Sequence, residues 1–106
     1  MDNINIEFTR GDTFKKKVLM YKNENAADYI PSEGDTIVFA AKKSYTENQV
    51  AVEINVPADT GILEIRPEDT KHLKYGVYVY EVELTTADGE VHTIIKGRMT
   101  LLPEVR

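Results

Sequence analysis

The sequence has no cysteine and no tryptophan, and only six glycines, four prolines and two histidines in 106 residues. Without cysteine there is no thiolate metal site, no thiol nucleophile and no disulfide framework, while the redox compartment stays undecided because many exported proteins also lack cysteine. Long apolar runs are missing too. No stretch approaches the roughly 18 residues of a spanning helix, and Met1 to Arg10 has neither the basic nor the apolar region of a signal peptide. The expectation is a soluble protein with no signal peptide and no membrane contact. Basic charge is scarce, with 13 Lys and Arg against 18 Asp and Glu for a net charge of -5. Residues 1–53 carry 7 basic and 9 acidic side chains and residues 54–106 carry 6 and 9, so neither half offers the basic surface of a nucleic-acid binder. At this length the expectation is one domain, 1–106, burying roughly 65% of its unfolded surface without a metal or disulfide.

What is present is period-2 alternation broken by Gly, Pro, Asp and Asn clusters, the pattern of strands. Ile4, Ile6 and Phe8 alternate with Asn3, Asn5 and Glu7, giving a first strand over about 3–9 that halts at Arg10-Gly11-Asp12. A second covers about 13–21, with Phe14, Val18 and Met20 sharing a face with Lys16, a mixed pattern that suits an edge strand. The polar segment from Tyr21 to Asp35 reads as a long loop. Thr36 to Lys43, apolar on both faces, reads as a central strand. Val50, Val52 and Ile54 mark strand four and Ile62 to Arg66 strand five, joined by turn residues Pro57 to Gly61 in what the spacing predicts to be a hairpin. Pro67 to Gly76 predicts one helical or 3₁₀ turn. Tyr78, Tyr80, Val82 and Leu84 then supply a core face and lead into a last hairpin.

The register of that hairpin follows from facing, because directly paired residues share a face. A two-residue loop near Asp88-Gly89 pairs Leu84 with Thr93, Val82 with Ile95, Tyr80 with Gly97 and Tyr78 with Met99, and a four-residue loop keeps the same faces. A three-residue loop is rejected because it sets Tyr80 opposite Lys96 and Tyr78 opposite Arg98. In the surviving registers Gly97 faces a tyrosine, which predicts a ring covering the gap left by the glycine. Together these features predict an all-β chain, specifically an Ig-like antiparallel β-sandwich of about seven strands. The run Leu73-Lys74-Tyr75-Gly76-Val77-Tyr78 resembles a tyrosine corner, with the Tyr78 hydroxyl bonding back to upstream backbone.

Chemistry-bearing constellations are sparse. Arg10-Gly11-Asp12 matches an integrin-type tripeptide, but turn chemistry explains it better: Gly11 supplies a positive φ and Asp12 caps the turn, and Gly34-Asp35-Thr36 repeats the device. His72 and His92 lack metal-ligand spacing and read as surface residues. Ser32 and Ser44 lie in polar turns with no nucleophile context, and Glu81 and Glu83 are neighbours on an outward face rather than a facing acid pair. The glycines are scattered, so there is no phosphate loop. Lys15, Lys16 and Lys17 with Arg10 read as a blunted sheet edge. Tyr21, Tyr29, Tyr45 and Tyr75 lie in or beside separate loops and leave a carbohydrate-binding or other ligand-binding module as the alternative function. No catalytic, cofactor-binding or metal-binding residue is assigned, no cofactor is expected, and the protein is not expected to be an enzyme.

Four blocks carry a family resemblance: Ile6 to Phe14, Gly34 to Ala40, Tyr75 to Leu84 and Gly89 to Gly97. They resemble small domains encoded in the tail and baseplate regions of phages and prophages of Gram-positive bacteria, including the amino-terminal domain of upper-baseplate proteins. The resemblance implies a β-sandwich with a structural role, attached to other virion structural proteins and possibly to itself as a homo-oligomer, with no nucleic acid or membrane as partner. It implies a place in the virion, the phage tail, or in the host cytoplasm before assembly. Because the sequence stops at Arg106 with no receptor-binding extension, the expected role is that of a stand-alone adaptor or tail accessory component.

Overall fold

Alternation becomes eight strands and one helical turn: β1 (Asp2–Asn3), β2 (Ile6–Thr9), β3 (Phe14–Lys17), β4 (Thr36–Lys42), β5 (Val50–Val56), β6 (Ile62–Ile65), α1 (Pro67–Thr70), β7 (Gly76–Thr85) and β8 (Val91–Leu102). The computed structural model describes residues 2–18 and 34–105. The end of the predicted second strand and nearly all of the predicted loop, with Tyr21, Tyr29 and Ser32, lie outside the described residues.

The larger sheet runs β8, β7, β4, β5, with β1 and β2 both on the outer edge of β8. As its apolar faces predicted, β4 is central, hydrogen-bonded to β5 on one side and β7 on the other. The smaller sheet is β3 paired antiparallel with β6. The core lies between them. Ile37, Phe39 and Ala41 of β4 meet Tyr78, Tyr80, Val82 and Leu84 of β7 and Ile95, Met99 and Leu101 of β8 on one side, and Val18, Leu63 and Ile65 on the other, all buried. Full burial of an Ile, Leu or Phe side chain contributes about 1.5–3 kcal/mol, so this layer dominates the stability. Phe8 and Phe14 stack at 4.7 Å between ring centroids, joining the inner faces of the two sheets.

Three expectations are corrected. The larger sheet is mixed rather than antiparallel, because β1 and β2 run parallel to β8, pairing Asp2 with Ile95 and Ile6 with Met99. The described residues hold eight strands rather than about seven, because the first predicted strand is interrupted at Ile4–Asn5. The segment Pro57–Gly61 is not a hairpin turn. It closes on itself through Gly61 N–H donating to the Pro57 carbonyl (2.8 Å), and carries the chain from β5 in one sheet to β6 in the other.

The last hairpin holds three of the four predicted pairs: Val82 with Ile95, Tyr80 with Gly97 and Tyr78 with Met99. The fourth is replaced by Leu84 with His92, and the loop is of the rejected length: Thr86 N–H donates to the Glu90 carbonyl (2.8 Å), leaving Ala87, Asp88 and Gly89 between them. A bulge at Ile94 reconciles the two. The odd loop slips the register by one residue, and one extra residue in β8 restores it before Tyr80 is reached. The bulge also turns His92 to the side of Leu84, opposite to the facing read from the sequence, although at the sheet end it remains exposed.

The predicted helical turn is α1. Pro67 occupies its first turn, Arg66 N–H donates to Asp69 Oδ2 (2.8 Å), and Lys71 N–H donates to the Pro67 carbonyl (3.0 Å).

Candidate functional site

The outward face of the larger sheet and the loop cluster at one end of it hold the groups with most functional potential. Both depend on how β1 and β2 are fixed to β8. A Cβ on Gly97 would lie 2.0 Å from the Ile4 carbonyl oxygen and 2.7 Å from its carbon, so the space over this glycine is filled by backbone. The predicted tyrosine cover is therefore corrected. Tyr80 does not lie over the gap but donates its hydroxyl to the same Ile4 carbonyl at 2.6 Å. Ile4 N–H donates to the Lys96 carbonyl (2.9 Å), and Asn5 Oδ1 accepts from Arg98 N–H (3.0 Å) where a ladder carbonyl would otherwise stand. The break between β1 and β2 is thus a latch in which the backbone tips over Gly97 and side chains complete its hydrogen bonds. Burial pushes the Tyr80 phenol up to about 12. A glycine inside a strand of β-branched and long side chains was the signal for this close approach, but nothing marked Ile4 as the partner.

The tripeptide Arg10-Gly11-Asp12 is committed to the fold. Arg10 donates to the Leu73 carbonyl (2.8 Å), pairs with Glu104, and stands 4.5 Å from the centroid of the Tyr75 ring. The hydrogen bond to Glu104 raises the Arg10 pKa above its ordinary value. Gly11, at φ +86°, donates its N–H to Thr70 Oγ1 (3.0 Å), and Thr70 is the fully buried polar side chain among the described residues. Asp12 N–H closes the turn on the Thr9 carbonyl at 3.1 Å. Tyr78 donates to the Lys74 carbonyl at 2.8 Å, the bond expected of a tyrosine corner, and burial raises its pKa while that bond lowers it. Thr70 and Glu104 had no signature in the sequence.

The outward face of β7 presents Val77, Val79, Glu81 and Glu83 in succession, with Tyr75 in the bend just before the strand. Level with these on β8 are Thr100 beside Val77, Arg98 beside Val79 and Lys96 beside Glu81. Tyr45, from the loop after β4, lies with its ring 5.7 Å from Lys96 Nζ, over a shallow cleft of about 110 Å³ bounded by Ala40, Lys42, Val79 and Glu81. Among the described residues the two loop tyrosines, Tyr45 and Tyr75, therefore each have a cation beside the ring.

The remaining sequence candidates are dispersed. His92 contacts Glu90 at 3.2 Å and Ser44 contacts Thr46 at 3.2 Å, both on the surface. His72 borders a groove with Lys43, Glu47 and Lys74. A second groove of about 360 Å³ between β5, β6 and α1 is lined by Glu53, Glu64, Arg66, Glu68 and Asp69. Lys15 and Lys16 lie on β3 opposite Glu64 and Leu63, in a strand that pairs only with β6 among the described residues. No cluster of three or more metal-ligating side chains occurs among the described residues, and no helix in them is long and apolar enough to cross a membrane. No protein-family model matches the chain, and no curated protein matches it.

Proposed function

We propose that this protein is a structural, non-enzymatic interaction component of a phage or prophage tail or baseplate, built as an Ig-like sandwich and acting by protein–protein assembly. The observation that carries the reading is where the four resembling blocks fall. Ile6 to Phe14 contains β2, Gly34 to Ala40 opens β4, Tyr75 to Leu84 covers most of β7, and Gly89 to Gly97 begins β8, and these four strands lie side by side in one sheet in the order β2, β8, β7, β4. The Ig-like assignment is supported by the two-sheet arrangement and by the Tyr78 hydroxyl bond to Lys74. The partners are other virion structural proteins and a second copy of the chain, and the location is the virion or the host cytoplasm before assembly. The test is mass spectrometry of particles purified after induction of a host that carries the gene. The expected result is the chain present at a fixed ratio to the major tail proteins. Its absence from particles, with binding on a glycan array, would overturn the reading and favour a carbohydrate-binding module.

A further inference from the structure

We infer that the outward face of the β7–β8 hairpin is a self-association surface, occupied by the same face of a second copy across a two-fold axis that runs along the strands between β7 and β8. The inference gives the assembly reading above a surface and a partner, and rests on that reading for its biological role.

The upper part of this face carries exposed apolar side chains flanked by charge. Val77 on β7 is 52% exposed and Leu102 on β8 37%, Tyr75 in the bend before β7 is 52% exposed with Arg10 against its ring, and Glu7 on β2 lies beside Thr100. Contiguous exposed apolar surface of this kind marks interaction sites. Below it the face is charged, with Glu81 and Glu83 on β7, Lys96 and Arg98 on β8, and Lys42 on β4.

The occupant follows from how these columns are arranged. A two-fold axis along the strands keeps each residue at its own level and exchanges the β7 column of one copy with the β8 column of the other. Because Val77 is level with Thr100 and Glu81 with Lys96, the operation sets Val77 on the partner copy's threonine, and Glu81 opposite the partner copy's lysine, each contact made twice. Net charge points the same way. The chain as a whole carries -5, which opposes association of identical copies, whereas on this face the three cations Lys42, Lys96 and Arg98 nearly cancel the four acids Glu7, Glu53, Glu81 and Glu83. At about 4.8 Å between strands and about 3.4 Å per residue, five strands of seven residues offer about 600 Å² per copy. The total of about 1,200 Å² lies at the lower end of specific interfaces, so the dimer is a weak one that multiple contacts in an assembled particle would reinforce.

Sedimentation velocity of the full chain across protein and salt concentration tests this. The expected result is a monomer–dimer equilibrium. Val77→Lys and Leu102→Lys, both at exposed positions, should each weaken dimerisation at least about tenfold while leaving the thermal midpoint in place. Glu81→Lys alone and Lys96→Glu alone should each weaken it about tenfold, and the two together should restore it to within about threefold of the parent, because the double exchange recreates both cross-interface pairs. A strict monomer up to about 1 mM, a concentration at which even millimolar affinity leaves a visible dimer fraction, would overturn the interface. A dimer indifferent to both lysine substitutions would overturn it as well. Mass spectrometry of particles separates the two readings: a monomeric chain found in particles removes this interface and keeps the assembly function, whereas a dimer absent from particles does the reverse.

Discussion

The two sheets are held together by different means. In the larger sheet β7 and β8 share a ten-pair ladder, β4 is bonded on both sides, and the outer edge of β8 is covered by a parallel strand latched at Gly97. Among the described residues the smaller sheet has two strands of four residues and a single ladder, and an isolated two-stranded ribbon is marginal in water. Its position comes from side chains that reach into the common core, Phe14 on Phe8 and Leu63 and Ile65 beneath the larger sheet, and from Thr70 and Arg10, which pin the turn leading into β3. Backbone pairing therefore organises one layer and side-chain anchorage the other.

The largest effect expected from breaking this contrast is at the latch. Gly97→Val places a Cβ 2.0 Å from the Ile4 carbonyl oxygen, and backbone cannot yield as a flexible side chain would. Lifting β1 from β8 should cost about 3 kcal/mol, seen as a lower urea midpoint. An unchanged midpoint would mean that β1 contributes nothing to the larger sheet. Next comes the anchor of the smaller sheet. Thr70→Val keeps the volume but removes the acceptor of the Gly11 N–H in a buried position, at about 2 kcal/mol, again read by urea melts. A cost under about 0.5 kcal/mol, the size of an ordinary surface substitution, would show that solvent satisfies Gly11. Tyr78→Phe leaves the ring in the core and strips the Lys74 carbonyl of its donor, so about 1 kcal/mol is expected, with the fold intact by circular dichroism.

The smallest effect is one of pH. Burial raises the Tyr80 pKa from 10.0 to about 12, so between those values the unfolded chain has lost a proton that the folded chain keeps. Stability from this group is complete below pH 10 and is lost as pH rises toward 12. Thermal melts across that window should fall more steeply for the parent than for Tyr80→Phe. Equal slopes would place the Tyr80 hydroxyl in solvent rather than on Ile4.

The same contrast explains what was legible in the sequence. Alternation reports which face of a strand is buried, so the all-β class, the central place of β4 and three of the four pairs of the last hairpin could be read from Ile37, Phe39, Tyr78 to Leu84, Ile95 and Met99. It does not report the neighbour or its direction. The parallel seating of β1 and β2 on β8, and the assignment of β6 to β3 rather than β5, depend on contacts between residues distant in sequence. The bulge was hidden because Ile94 and Ile95 are both apolar and either could have filled the inward position. Gly97 was recognised as needing a cover, but Tyr80, the ring across the ladder, is the anchor of that cover rather than the cover itself. The outward face was legible as strand alternation.

Native-state hydrogen exchange tests the central contrast most directly, because it reads both sheets in one molecule. The amides of Ile4 and Arg98, which donate to the Lys96 carbonyl and Asn5 Oδ1, should be protected to the level of the β7–β8 ladder, while the amides of β3 and β6 exchange through an opening of lower free energy. Exchange at Ile4 and Arg98 as fast as in β3 and β6, with the β7–β8 ladder still closed, would contradict the latch at Gly97 and the division of the fold built on it.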